Sequence, residues 1–241
     1  MAPFRTILAW LACATCAMAA DLTPTEVIAK ARAALTKDTA ALAKVRSLQF
    51  ELTSVNAEGK PTGYTLLEVN APDQRYQLSV NAARTIEETM ATNGREGWRQ
   101  STQTTQIGVM RAEFVNVLRD MAASDLTFFA APSERDGNVT LAPASEINGR
   151  KQVALEYVYK SGFRITRHFD AETFQLTATD QKMPDGKTQR QLVLATTSVE
   201  GILFTQKEAI LIDGQKVAEA TYEKISVNPT LVPGHYTFPT R

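Results

Sequence analysis

Cysteine and histidine are scarce in this chain of 241 residues, with two of each. Both cysteines, Cys13 and Cys16, fall inside the N-terminal segment, and neither follows a good lipobox. Once that segment is removed, the chain has no disulfide, thiolate nucleophile or thiolate metal ligand. His168 and His235 stand apart in the sequence. No Gly-x-Ser-x-Gly elbow, phosphate-binding loop or His-Glu-x-x-His motif accompanies them. No catalytic residue, metal ligand or cofactor is therefore expected, and the chain does not read as an enzyme. His168 is opposite in phase to Phe169, which gives it a solvated or hydrogen-bonded structural role. An excess of one charge is missing as well, since Lys+Arg and Asp+Glu number 26 each. A nucleic-acid surface needs a basic excess, so no nucleic acid is expected as a partner. Repeats, low-complexity runs and dividing linkers are also absent, so residues 21–241 read as one domain.

What is present begins with a leader. Arg5 precedes the apolar run Thr6 to Ala12, and small residues close the segment at Ala17-Met18-Ala19-Ala20. This is the pattern of a secretory signal peptide over residues 1–20, cut after Ala19 or Ala20. The run is too short for a membrane span. An exported chain without cysteine is the expectation.

Next come helix and strand signals. Thr23-Pro24-Thr25-Glu26 combines a capping box with proline at the first helical position. Apolar residues then recur at helical spacing, predicting a helix over about Pro24 to Lys44. From Leu48 onward the period changes to two. Strands are predicted around Leu48–Val55, Tyr64–Val69, Arg75–Val80, Arg84–Thr92 and from Trp98 after the Asn93-Gly94 hairpin signal. Leu126–Phe129, Val139–Leu141, Gln189–Thr197, Ile202–Ile212 and Val217–Val227 read as further strands. The clearest pattern runs from Gln152 to Gln181. There Val153, Leu155, Tyr157 and Tyr159, then Phe163, Ile165 and Phe169, then Phe174 and Leu176, share one face across two turns. In all, about eleven antiparallel strands with one buried face are expected. Such a face must lie on helices or on a ligand.

Between the strands, Met110, Phe114, Val117, Leu118 and Met121 fall at helical intervals, predicting a short helix. The Thr- and Gln-rich segment Ser101 to Gly108 before it reads as a mobile attachment. Two readings of these residues stay open. Trp98, directly after the Gly-containing hairpin, either closes a sheet edge over the core or forms the wall of an apolar cavity. The stripe of Met110, Phe114, Val117, Leu118 and Met121 is either core or a binding face, and methionine supplies adaptable, polarizable surface for the latter. These six residues are the candidate ligand site.

Three motifs carry a family resemblance. Val69-Asn70-Ala71-Pro72-Asp73-Gln74-Arg75-Tyr76 resembles the strand-proline-strand signature of the periplasmic outer-membrane lipoprotein-sorting carriers (LolA/LolB-like). Asn93-Gly94-Arg95-Glu96-Gly97-Trp98 is similar to their second signature, and Val227 to Pro239 to their closing strand and aromatic-proline tail. The resemblance implies an α+β fold: an incomplete antiparallel β-barrel with an N-terminal helix and a short lid helix on its concave face. It implies a periplasmic carrier that holds the acyl chains of a lipid or acylated lipoprotein, with transient membrane-surface contact. The alternative is an envelope sensor or protein-interaction module with a protein partner. The carriers' arginine before the proline, which ties down the lid, is Ala71 here, so a more open lid is expected.

Overall fold

The computed structural model describes residues 22–239 apart from Gln103 and Pro184. The expected leader lies outside the described residues. Among the described residues there are two α-helices, α1 (Pro24–Leu35) and α2 (Ala112–Leu126). Thirteen strands accompany them: β1 (Ser47–Asn56), β2 (Pro61–Asn70), β3 (Gln74–Asn81), β4 (Ile86–Thr92), β5 (Gly97–Ser101), β6 (Thr104–Val109), β7 (Asn138–Ile147), β8 (Arg150–Val158), β9 (Arg164–Asp170), β10 (Leu176–Lys182), β11 (Thr188–Val199), β12 (Ile202–Ile212) and β13 (Gln215–Val227). They form one open antiparallel sheet in the order β6-β5-β4-β3-β2-β1-β13-β12-β11-β10-β9-β8-β7. The chain thus starts mid-sheet and meanders out to one edge. Helix α2 then carries it to the opposite edge, and a second meander returns it to a central seam where β13 pairs with β1. The fold is the expected incomplete barrel, with two more strands than the alternation suggests.

Three local expectations are corrected. Helix α1 stops at Leu35 rather than near Lys44, and a 3-10 turn over Thr39–Lys44 follows. The capping box is formed, with Glu26 Oε2 accepting from Thr23 N at 2.8 Å and Thr23 Oγ1 accepting from Glu26 N at 3.3 Å. The break has a side-chain cause. Thr36 Oγ1 accepts from Asp38 N, and Asp38 Oδ1 from Ala40 N, so short polar side chains satisfy the backbone outside the helix. The segment read as a mobile attachment contains β6, which pairs with β5 through Trp98↔Val109 and Arg99↔Gly108. Leu126–Phe129 is no strand: α2 ends there in a left-handed turn, with φ 46° at Phe128 and 70° at Phe129. Bulky residues rarely occupy that region.

The sheet buries its concave face most deeply where period-2 alternation was strongest. Leu155, Tyr157, Tyr159 and Phe169 pack with Val27 and Ala31 of α1 and with Phe129. Phe163, Ile165, Phe174 and Leu176 join the same cluster, as their shared phase predicts. Each fully buried side chain of this size contributes about 1.5–3 kcal/mol. On the convex face a smaller cluster of Tyr76, Ala91 and Trp98 is covered by Leu231 and Tyr236 of the C-terminal tail.

Candidate functional site

The last turn of α1, the end of α2 and the Phe128-Phe129 turn stand over the central strands and leave a cavity of about 220 Å³ on the concave side. Ala34, Leu35, Phe128 and Phe129 form its roof. Leu48 and Phe50 of β1, Ile165 of β9, Leu176 of β10 and Phe204 of β12 supply much of its apolar floor. The aromatic walls are braced edge-on. Phe204 lies 6.3 Å from Phe50 and 6.1 Å from Phe128 between ring centroids, and Tyr222 lies 5.8 Å from Phe50. Offset and edge-on pairs are the favoured aromatic geometries, so this wall holds its shape.

The roof is fastened to its surroundings by cations. Arg32 of α1 donates through Nη1 to the carbonyls of Thr127 and Phe128 at 2.6 and 2.8 Å. Tyr157 Oη donates to the carbonyl of Phe129 at 2.9 Å. The strained turn is therefore fixed at three successive carbonyls. Arg75 of β3 pairs with Asp125 at 2.8 Å, and Arg119 of α2 with Asp73 at 3.2 Å. Arg135 bridges Asp73 and Asp120. Asp73 also explains a motif glycine: Gly94 has φ 89°, and a Cβ there would collide with the Asp73 carboxylate. Ala71 offers no side-chain donor, but Arg32 reaches the backbone at the end of α2 from α1.

Polar groups also line the cavity. Arg167 is 6% exposed, lies 4.9 Å from the ring centroids of both Phe129 and Tyr157, and donates through Nη2 to Ser124 O and Oγ at 3.2 and 2.8 Å. Glu208 is as deeply buried, and burial pushes its carboxyl up to about 7 against the hydrogen bonds of Gln191 and Tyr222. Gln191 Nε2 donates to it at 3.1 Å. Burial drives the Tyr222 hydroxyl well above its ordinary range, so it stays protonated beside Glu208.

None of the six sequence-predicted site residues lines this cavity. Met110 and Leu118 form a cluster with Val115, against which Met90 and Met121 pack. Val117 and Met121 pack on the α1 cluster, and Phe114 is 41% exposed. Trp98 belongs to a different cluster, on the other face of the sheet. It pairs with Ala91 across β4 and β5 and lies in the convex-face cluster under the tail, its Nε1 without a hydrogen-bond partner. Sequence reading missed Leu35, Phe50, Phe128, Phe129, Arg167 and Glu208. The run Leu126–Phe129 carried a signal of burial, yet its left-handed turn was not visible in it.

Two polar constellations lie elsewhere. His168 connects Ser145, at 3.2 Å from Nδ1, with Asp180, at 3.0 Å from Nε2. The geometry has the outline of a hydrolytic relay. However, Arg190 grips Asp180 through two bonds of 2.7 Å, and despite burial the carboxyl is held well below the usual range by Arg190 and His168. That carboxylate is engaged by the arginine rather than reserved for an imidazolium. Ser145 lies outside the cavity as well. The histidine is hydrogen-bonded at both ring nitrogens and is buried rather than solvated. His235 Nδ1 lies 2.9 Å from the buried Glu68 and stacks on Tyr76 at 4.1 Å, fastening the tail. Among the described residues no group of three His, Cys, Asp or Glu is placed to hold a metal. No described helix is long and apolar enough to cross a membrane.

No protein-family model and no curated protein matches the sequence. Solved structures do match. A LolA superfamily protein from Nitrosomonas europaea superposes with a TM-score of 0.57 at 10% identity, over 90% of this chain and 98% of the other. A DUF1329 family protein from Desulfovibrio piger gives 0.54 at 11% identity, over 88% and 96%. A putative outer membrane lipoprotein-sorting protein domain from Vibrio parahaemolyticus gives 0.54 at 12% identity, over 88% and 94%. At these identities the likeness is one of fold: this chain and those proteins share an open antiparallel sheet lined by helices.

Proposed function

We propose that the protein is a periplasmic carrier that shelters the acyl chain of a lipid or acylated lipoprotein in the cavity under its helices. The observation that carries this reading is the cavity itself, walled by Leu35, Leu48, Phe50, Phe128 and Phe204 under the ends of α1 and α2. Each methylene moved from water into such a site is worth about 0.8 kcal/mol, so a chain of modest length suffices for retention. The likeness to a lipoprotein-sorting domain supports the reading at the level of fold. The leader-like residues 1–20 supply the export route.

Native mass spectrometry of protein purified from its own envelope tests it. The expected result is a chain lacking its first 19 or 20 residues, with an apolar molecule bound. Purified protein should also take up an environment-sensitive apolar dye, and Arg32→Ala should speed that uptake by freeing the roof. Protein that carries no lipid and ignores the dye would end the carrier reading.

A sensor or interaction module is the second reading, favoured by the sheet's two open edges. Val109 on β6 is 73% exposed and Leu141 on β7 is 45% exposed, and an edge of this kind accepts an added strand. A stable envelope protein recovered with the chain in place of lipid would favour it.

A further inference from the structure

Among the described residues, Arg167 is a cation of the cavity without an ion pair. Arg167 points from β9 onto the concave face, where it lines the cavity at 6% exposure. Its guanidinium lies between Phe129 and Tyr157, which fixes the plane of the fork. Nη2 is held by Ser124 on the last turn of α2. Nη1 is sealed from solvent and makes no well-formed hydrogen bond among the described residues, the Tyr157 hydroxyl being the neutral group beside the guanidinium. The two carboxyls that share the cavity are committed elsewhere. Asp125 pairs with Arg75 at 2.8 Å, and Glu208 is hydrogen-bonded to Gln191 and Tyr222. A charge buried without an opposite charge or a full set of hydrogen bonds is costly, and an incoming anion would relieve that cost. Guanidinium is also the side chain best suited to a two-oxygen anion.

We propose that the cavity selects single-chain amphiphiles with an anionic head, a carboxylate or a phosphate, and that Arg167 takes the head while the aromatic wall takes the chain. This rests on the carrier reading and narrows it to a ligand class. Ser124 belongs to α2, so a head that reaches the fork does so as the end of α2 lifts. Anion capture and roof movement are then one event. A neutral lipid of equal length fills the same wall but leaves Nη1 unpaired.

The test is displacement of a bound apolar dye by dodecanoate, dodecyl phosphate and dodecanol. On the wild type, at least one anion should displace the dye at about tenfold lower concentration than the alcohol, the scale of one charge-assisted pairing. Arg167→Gln should abolish the ratio between the anions and dodecanol, whatever shift all three share, while Arg167→Lys should keep part of the preference. Preference for dodecanoate over dodecyl phosphate indicates free fatty acids as a natural source, and equal preference admits either anion. Preference for the phosphate alone indicates phospholipid fragments. A wild type that ranks all three alike overturns the proposal and leaves the carrier reading standing, and this arm needs no variant to fold. Equal weakening of all three ligands by Arg167→Gln also overturns it. If neither dye nor alcohol binds, the carrier reading itself has failed.

Discussion

Glu208 is a carboxyl placed where a carboxylate is expensive. Burial raises it from 4.5 to about 7, more than Gln191 and Tyr222 lower it. Above the unfolded value, the folded chain retains a proton that the unfolded chain has released. Stability from this group is therefore full below about pH 4.5, falls as pH rises toward about 7, and then levels off. The drop is about 3 kcal/mol, at roughly 1.4 kcal/mol per pH unit. Glu208→Gln removes the titration while keeping the shape. Urea midpoints at pH 5 and pH 8 should show the wild type losing more stability than this variant over the interval. Equal losses would show that Glu208 is not held in its protonated form. The residue scale is also where sequence reading failed most. Arg32 and Arg167 look like any surface arginines in the sequence, one on a helix and one between apolar strand positions. Their roles depend on the carbonyls of Thr127, Phe128 and Ser124, which only the folded chain brings within reach.

At the scale of elements, the periodicities were legible and the endings were not. Val153 to Tyr159 declared a strand because every second side chain had to be apolar, and the structure buries Leu155, Tyr157 and Tyr159 and half-buries Val153. Helix α2 was legible in the same way from Met110 to Met121. Which of its residues face protein was not, because Phe114 and Leu118 lie on the same nominal stripe. The structure separates them, with Phe114 at 41% exposure and Leu118 at 4%. Leu118→Asp should therefore destabilise the protein by about 3 kcal/mol or more, by burying a charge with no partner. Phe114→Asp should stay within about 1 kcal/mol. Denaturant midpoints of the two variants check this, and similar losses would place Phe114 in the core. Helix α1 was overextended for a related reason. Alanine-rich sequence continues past Thr36, but Thr36 and Asp38 bond the backbone locally and end the helix.

At the scale of the whole molecule, the sheet was foreseeable but its pairing was not. Successive strands pair by hairpins that turn signals announce, such as Asn93-Gly94 and Asp213-Gly214. The seam between β1 and β13 has no such signal, since it joins residues as distant as Arg46 and Asn228, 182 positions apart. Each end of the chain also packs on the meander to which it does not belong. Helix α1 precedes β1 yet buries Val27 and Ala31 against Tyr157 and Phe169 of the second meander. The tail after β13 buries Tyr236 against Tyr76 and Trp98 of the first. This reciprocal exchange has a consequence for dissection. A break at the exposed Ser133-Glu134 turn yields two pieces, each holding the covering that the other's sheet requires. Neither piece should show a cooperative unfolding transition by itself. Mixed together, they should recombine through the seam into a one-to-one complex with the circular dichroism of the intact chain. A first piece that unfolds cooperatively alone would show that its half stands without the borrowed tail. Recombination would make the two pieces a natural split reporter, whose reassembly depends on contacts from both faces of one sheet.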